Sequence, residues 1–149
     1  GDFFMAKHIV YAPNVVCICA DELTETSCGG RLYTRYDSTS ESFDDISALL
    51  LKIDRFFDKI NYPEASTRSR SFNEDKTGSM QPRKINIEAS ISGDEFLKHK
   101  GKIATFFIRV QSRQNSTWQG VFWWAEKDTE TEFLSALEVL KLIDRAVTQ

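Results

Sequence analysis

Cysteine and histidine are scarce in this chain, and their placing excludes several chemistries. Of 149 residues, three are cysteines and two are histidines. Cys17 and Cys19 lie two apart on one chain segment, a poor geometry for a disulfide, and Cys28 makes the number odd. A reduced, cytoplasmic protein is the simplest expectation. His8 and His99 have no ligand-like spacing to the cysteines, which argues against zinc, and no cofactor is expected. No apolar run approaches the length of a membrane span. The opening Gly1-Asp-Phe-Phe-Met5 is too short to read as a signal peptide.

Excess positive charge is missing as well. The formal net charge is −3, so there is no overall electrostatic case for nucleic acid or an anionic membrane. Catalytic signatures are equally thin. There is no nucleophile elbow, no metal-binding histidine pair, no phosphate loop and no dinucleotide fingerprint. Nothing in the sequence therefore names an enzyme.

What the chain does hold is apolar and aromatic bulk. It is 41% hydrophobic, with eleven Phe, four Tyr and three Trp. That is enough for the core of a single domain spanning residues 1–149.

A repeat organises this material. Gly30, Thr39, Phe43, Leu50, Ile53, Asp54 and Arg55 recur, without a gap, as Gly120, Thr129, Phe133, Leu140, Ile143, Asp144 and Arg145. The pattern predicts a duplication over roughly residues 10–60 and 100–149, joined by an inserted segment, 61–99. In each copy, alternation predicts two strands and a 3.6-residue period predicts a helix. The first copy's strands are expected over Val10–Ala20 and Arg31–Tyr36. Asp37–Ser42 follows as a loop, with Ser42 and Asp45 as a capping box. The helix then runs from Phe43 to Ile60, with Ile46, Leu49, Leu50, Ile53 and Phe57 inward. The second copy's strands carry Ala104–Val110 and Gly120–Glu126. A loop at Lys127–Thr131 and a helix over Phe133–Val147 complete it, with Ala136, Val139, Leu140 and Ile143 inward. The inserted segment adds a strand at Ile85–Ile91, a short one at Thr67–Phe72, an exposed loop at Asn73–Pro82, and a turn at Ser92–Gly101. The expected class is α+β, a mainly antiparallel sheet with two long helices on one face. Asp54 and Asp144, occurring in both copies, are expected to pair with a nearby arginine or backbone donor.

Three features are candidate contact sites. The first is the connection Arg109-Val-Gln-Ser-Arg113-Gln-Asn115-Ser-Thr-Trp118-Gln-Gly120. Its Arg-x-x-x-Arg followed by Asn-x-Thr-x-x-Gly resembles the cyclic-dinucleotide motif of PilZ domains. In that family a strand-forming segment separates the two parts, and serine stands where this chain has Thr117. The alternative is a polar hairpin loop with a glycine at its turn. The second is the aromatic strand bearing Trp123 and Trp124. Trp123 shares a face with Val121, and Trp124 with Phe122, so both faces are apolar. One face packs the helices; the other calls for cover by the middle segment, by a second subunit in a homodimer, or by a ligand. The third is Thr67-Arg68-Ser-Arg70, which could grip an anionic partner or form a solvated strand edge.

The stretches Arg113-Gln-Asn-Ser-Thr-Trp-Gln-Gly120 and Phe133-x-Ser-Ala-Leu-Glu-x-Leu-Lys-Leu-Ile-Asp144 also resemble a family of small uncharacterised proteins from Clostridia and related gut Firmicutes. The resemblance implies a bacterial, cytoplasmic protein and supplies no activity. The leading expectation is a non-enzymatic binding or protein-interaction module. The alternative is a nucleotide or nucleic-acid binding domain using Arg109, Arg113, Arg68 and Arg70.

Overall fold

A computed structural model of the chain describes residues 8–60, 89–114 and 117–148. It is an α+β fold. Six strands, β1 (Val15–Leu23), β2 (Cys28–Thr34), β3 (Asp37–Phe43), β4 (Ala104–Gln114), β5 (Thr117–Trp124) and β6 (Thr129–Phe133), form one sheet. Every pairing is antiparallel, in the order β3-β2-β1-β4-β5-β6. The helices are α1 (Ile46–Ile60), the single turn α2 (Gly93–Phe96) and α3 (Ala136–Val147). No helix among the described residues is long and apolar enough to cross a membrane.

Each half is three strands and a helix, where two strands and a helix were expected. The polar runs Asp37–Ser42 and Lys127–Thr131 have no apolar alternation and look like loops. Instead β3 and β6 pair along β2 and β5, contributing backbone hydrogen bonds while almost every side chain stays in solvent. Only the closing Phe43 and Phe133 turn into the core. Pairing by a neighbouring strand overrides weak local preference here. This shifts the helix starts. Asp45, not Ser42, caps α1, its carboxylate accepting from Ala48 N at 2.8 Å. Ser135 caps α3 through Glu138 N, and Glu138 reaches back to the Leu134 amide. At the other end of β1, the expected Val10–Ala20 strand gives way to a 3-10 turn at His8–Tyr11, and β1 begins at Val15.

The pairings of the two halves match ninety positions apart. Val16 faces Thr34 as Phe106 faces Trp124, and Gly30 faces Phe43 as Gly120 faces Phe133. Both inner hairpins slip register at the same place, between Ala20 and Glu22 and between Val110 and Ser112. The shared glycine has one physical reason in both. A Cβ on Gly30 would sit 1.9 Å from the Cys19 carbonyl oxygen, and on Gly120 2.0 Å from that of Arg109. Neither glycine has positive φ, so the constraint is close approach of two backbones. Gly30→Ala and Gly120→Ala should therefore each destabilise the fold by about 1–3 kcal/mol, the usual cost of overpacking. Urea titrations of both variants would show it, and wild-type midpoints would refute it.

The core has two layers. On one face of the sheet, Val16, Ile18, Phe106, Ile108 and Phe122 meet Leu49, Ile53 and Phe57 of α1 and Val139 and Ile143 of α3. On the other face, Val15, Cys17, Cys19, Phe107, Val121 and Trp123 are covered by Ile9 and Val10 of the 3-10 turn and Phe96 of α2. The expected strand Ile85–Ile91 falls mainly outside the described residues. Its last residues, from Ala89, are not strand, although the amides of Ser90 and Ile91 both donate to the Arg35 carbonyl. The strand expected at Thr67–Phe72 and the loop expected at Asn73–Pro82 lie outside the described residues altogether.

Candidate functional site

The residues singled out in the second hairpin do not form an open surface. Trp123 is 5% exposed, lies 5.3 Å from the Phe107 ring, and donates its indole N–H to Asp128 Oδ1 at 3.1 Å. The cover that its face calls for comes from within the chain, so Trp123 offers no contact surface. Arg113 is 4% exposed and faces α1. Its guanidinium donates to Asp54 at 3.1 Å and Asp58 at 2.9 Å, and lies 5.6 Å from the Phe57 ring centre. The Trp118 indole N–H donates to the same Asp54 oxygen at 3.3 Å. Arg113 and Trp118 thus lock β4–β5 onto α1, and the PilZ-like grip on a phosphate has no free guanidinium at position 113. Arg109 is on the opposite face of β4, half-buried, its Nε without a hydrogen bond among the described residues. The structure therefore separates Arg109 from Arg113. Asn115, Arg68 and Arg70 lie outside the described residues. The expectation for the two aspartates holds for Asp54. Asp144 is exposed, and its carbonyl accepts from Thr148.

Open space lies where the two halves differ in side-chain bulk. Leu23 and Cys28 stand ninety positions before Arg113 and Trp118, and Asp144 and Thr148 stand ninety positions after Asp54 and Asp58. All four line a shallow cavity of about 670 Å³ between the β1–β2 turn and the ends of α1 and α3. The plug of one half is an opening in the other. Burial raises the Cys28 thiol pKa, so it is a poor nucleophile.

A second, smaller cavity of about 260 Å³ lies between β3 and α1. Leu32 and Phe56 form its apolar wall, and Thr34, Thr39 and Ser40 offer hydroxyls. Lys52, Arg55 and Lys59 line it from successive turns of α1, and Asp37 and Glu41 from β3. Positions 52, 55 and 59 share one side of a helix, which is why three cations converge on one strand. The ion pairs among the described residues are Arg31–Asp21, Arg113–Asp54 and Arg113–Asp58, so none of these three cations is within ion-pair distance of a described carboxylate. Thr39, through its hydroxyl and its amide, holds the Asp37 carboxyl below the usual range, and Lys59 adds to this.

In the second half three equivalent positions carry large apolar side chains, while Ala146 stands where Phe56 stands. Trp124 stands where Thr34 stands, Phe122 where Leu32 stands, and Leu142 where Lys52 stands. Trp124 packs on the helix-side core, 6.1 Å from Phe106. In sequence the first-half cavity is marked by Thr34 and Lys52 set against Trp124 and Leu142.

On the far face, Arg31 binds Asp21 at 2.7 Å and the Tyr33 hydroxyl, and Tyr33 stacks on His99 at 3.7 Å. These contacts tie the 97–103 segment to β2. Among the described residues there is no group of His, Cys, Asp or Glu that could hold a metal. No protein family, curated protein or solved structure matches the chain.

Proposed function

We propose that the chain is a binding module that takes a small anionic ligand in the cavity between β3 and α1. One observation carries this: Lys52, Arg55 and Lys59 line one side of a cavity, and among the described residues none of them is in an ion pair. Hydroxyls on the facing strand can donate to the same ligand. The anion-binding alternative thereby moves from Arg109, Arg113, Arg68 and Arg70 to α1. The net charge of −3 still opposes a long nucleic acid. A homodimer through the aromatic face is not part of the proposal, because Trp123 is internal.

Binding of inorganic phosphate and pyrophosphate at low salt, followed by calorimetry and by the rise in melting temperature, tests the reading. The doubly substituted K52Q/R55Q chain should lose at least tenfold in affinity, since hydrogen bonds to charged groups contribute about 1.5–3 kcal/mol each. Absence of binding by the wild type at millimolar ligand would sink it.

The common ninety-position offset of pairings, bulges and close-approach glycines supports an origin by duplication of a strand-strand-strand-helix unit. Three free cysteines support a reducing compartment, as in the bacterial cytoplasm that the family resemblance implies.

A further inference from the structure

We infer that the ligand of the β3–α1 cavity is a phosphorylated polyol, a single small sugar phosphate. The inference rests on the anion-binding reading and sharpens it. The cavity is bipolar. Cations come from α1, and carboxylates come from β3 at Asp37 and Glu41. A ligand that is anionic throughout would meet repulsion on the strand side. A ligand with an anion at one end and hydroxyl donors at the other satisfies both walls.

The details agree with this. Both Thr39 bonds to Asp37 use Oδ1. Among the described residues Oδ2 makes no hydrogen bond, so it remains able to accept from a ligand hydroxyl. Glu41 is exposed and forms no ion pair with a described residue. The Thr34, Thr39 and Ser40 hydroxyls can donate or accept, as sugar hydroxyls require. Half-buried Phe56 gives the carbon skeleton an apolar wall. The volume of about 260 Å³ is below the roughly 300 Å³ at which pockets for drug-sized ligands begin, which favours one small molecule. Three cations also exceed what the single carboxylate of an amino acid would need. A phosphomonoester, with close to two negative charges near neutral pH, uses them better.

The test compares ribose 5-phosphate, inorganic phosphate, free ribose, adenosine monophosphate and glutamate by calorimetry on the full chain. Ribose 5-phosphate should bind at least tenfold more tightly than inorganic phosphate. Asp37→Asn should weaken ribose 5-phosphate by fivefold or more, yet leave inorganic phosphate unchanged or tighter, because a repulsive charge has gone. Thr34→Trp, which copies the residue at the equivalent position of the second half, should abolish binding of both. Lys52→Gln tests the same site without adding bulk, should the larger substitution impair folding. If phosphate binds and the sugar adds nothing, or if Asp37→Asn weakens both ligands alike, the polyol assignment is overturned and anion binding stands. Tighter binding of glutamate or of adenosine monophosphate overturns it in favour of those classes. If no phosphate compound binds, both readings fall together.

Discussion

Trp123→Ala should lower the stability of the fold by about 3–5 kcal/mol, the range for deleting a large aromatic side chain from a core. Trp123 is 5% exposed and packs with Phe107, Val121 and the residues that cap the second face of the sheet. Nothing on that face can close the gap easily, because Phe107 and Phe96 are themselves held edge-to-face at 5.7 Å. Its indole N–H bond to Asp128 at 3.1 Å fixes the residue that bends the chain into β6, the one described non-glycine with positive φ. Trp123→Glu should be worse, since it buries a charge with no partner. Urea unfolding followed by circular dichroism would measure both. A Trp123→Glu chain that unfolds at the wild-type midpoint would show that this residue is on a surface, and would revive a dimer interface there.

The second large effect is at Arg113. Arg113→Ala should cost about 2–4 kcal/mol, while Asp58→Ala should cost at most about 1 kcal/mol, the ordinary limit for an exposed pair. The asymmetry follows from burial. Arg113 is 4% exposed, whereas Asp54 and Asp58 are 45% and 63% exposed. The carboxylates can return to water when the arginine goes. Their attraction to it is therefore screened, and most of the loss at position 113 is packing of the long stem and of the guanidinium against Phe57. Asp54→Ala should fall between, because Asp54 also accepts from Trp118. Arg113→Met should recover about half of the alanine deficit, since apolar volume replaces apolar stem. Equal losses for Arg113→Ala and Asp58→Ala would mean that the ion pair, not the burial, holds the hairpin to α1.

These two residues also show where local sequence and tertiary structure part company. Trp123 and Arg113 were both legible as unusual, one as an aromatic in a strand with two apolar faces, the other as half of an Arg-x-x-x-Arg. Whether they face a partner or the interior depends on what the rest of the chain places over them. The cluster that buries Trp123 includes Val10, more than a hundred positions away, and Phe96. The anchor of Arg113 comes from Asp54 and Asp58, on a helix of the other half. No local pattern encodes contacts of such separation. The candidate cavity is the same case. Lys52, Arg55 and Lys59 look like the solvated side of an amphipathic helix, and Asp37–Ser42 looks like a loop. They become a site only because β3 pairs with β2 beside α1.

The sequence by itself determined the class of fold, the helices α1 and α3, the inner strands and the ninety-position correspondence. Each is written in a short-range period of apolar residues or in a glycine that no other residue can replace. Only the tertiary structure decided that β3 and β6 are strands, that the aromatic face is covered, and that a cavity lies between β3 and α1. Edge strands form through a neighbour's backbone and leave little mark on their own side chains. Cavities, in turn, are differences in volume between elements, which appear only once those elements have been packed together.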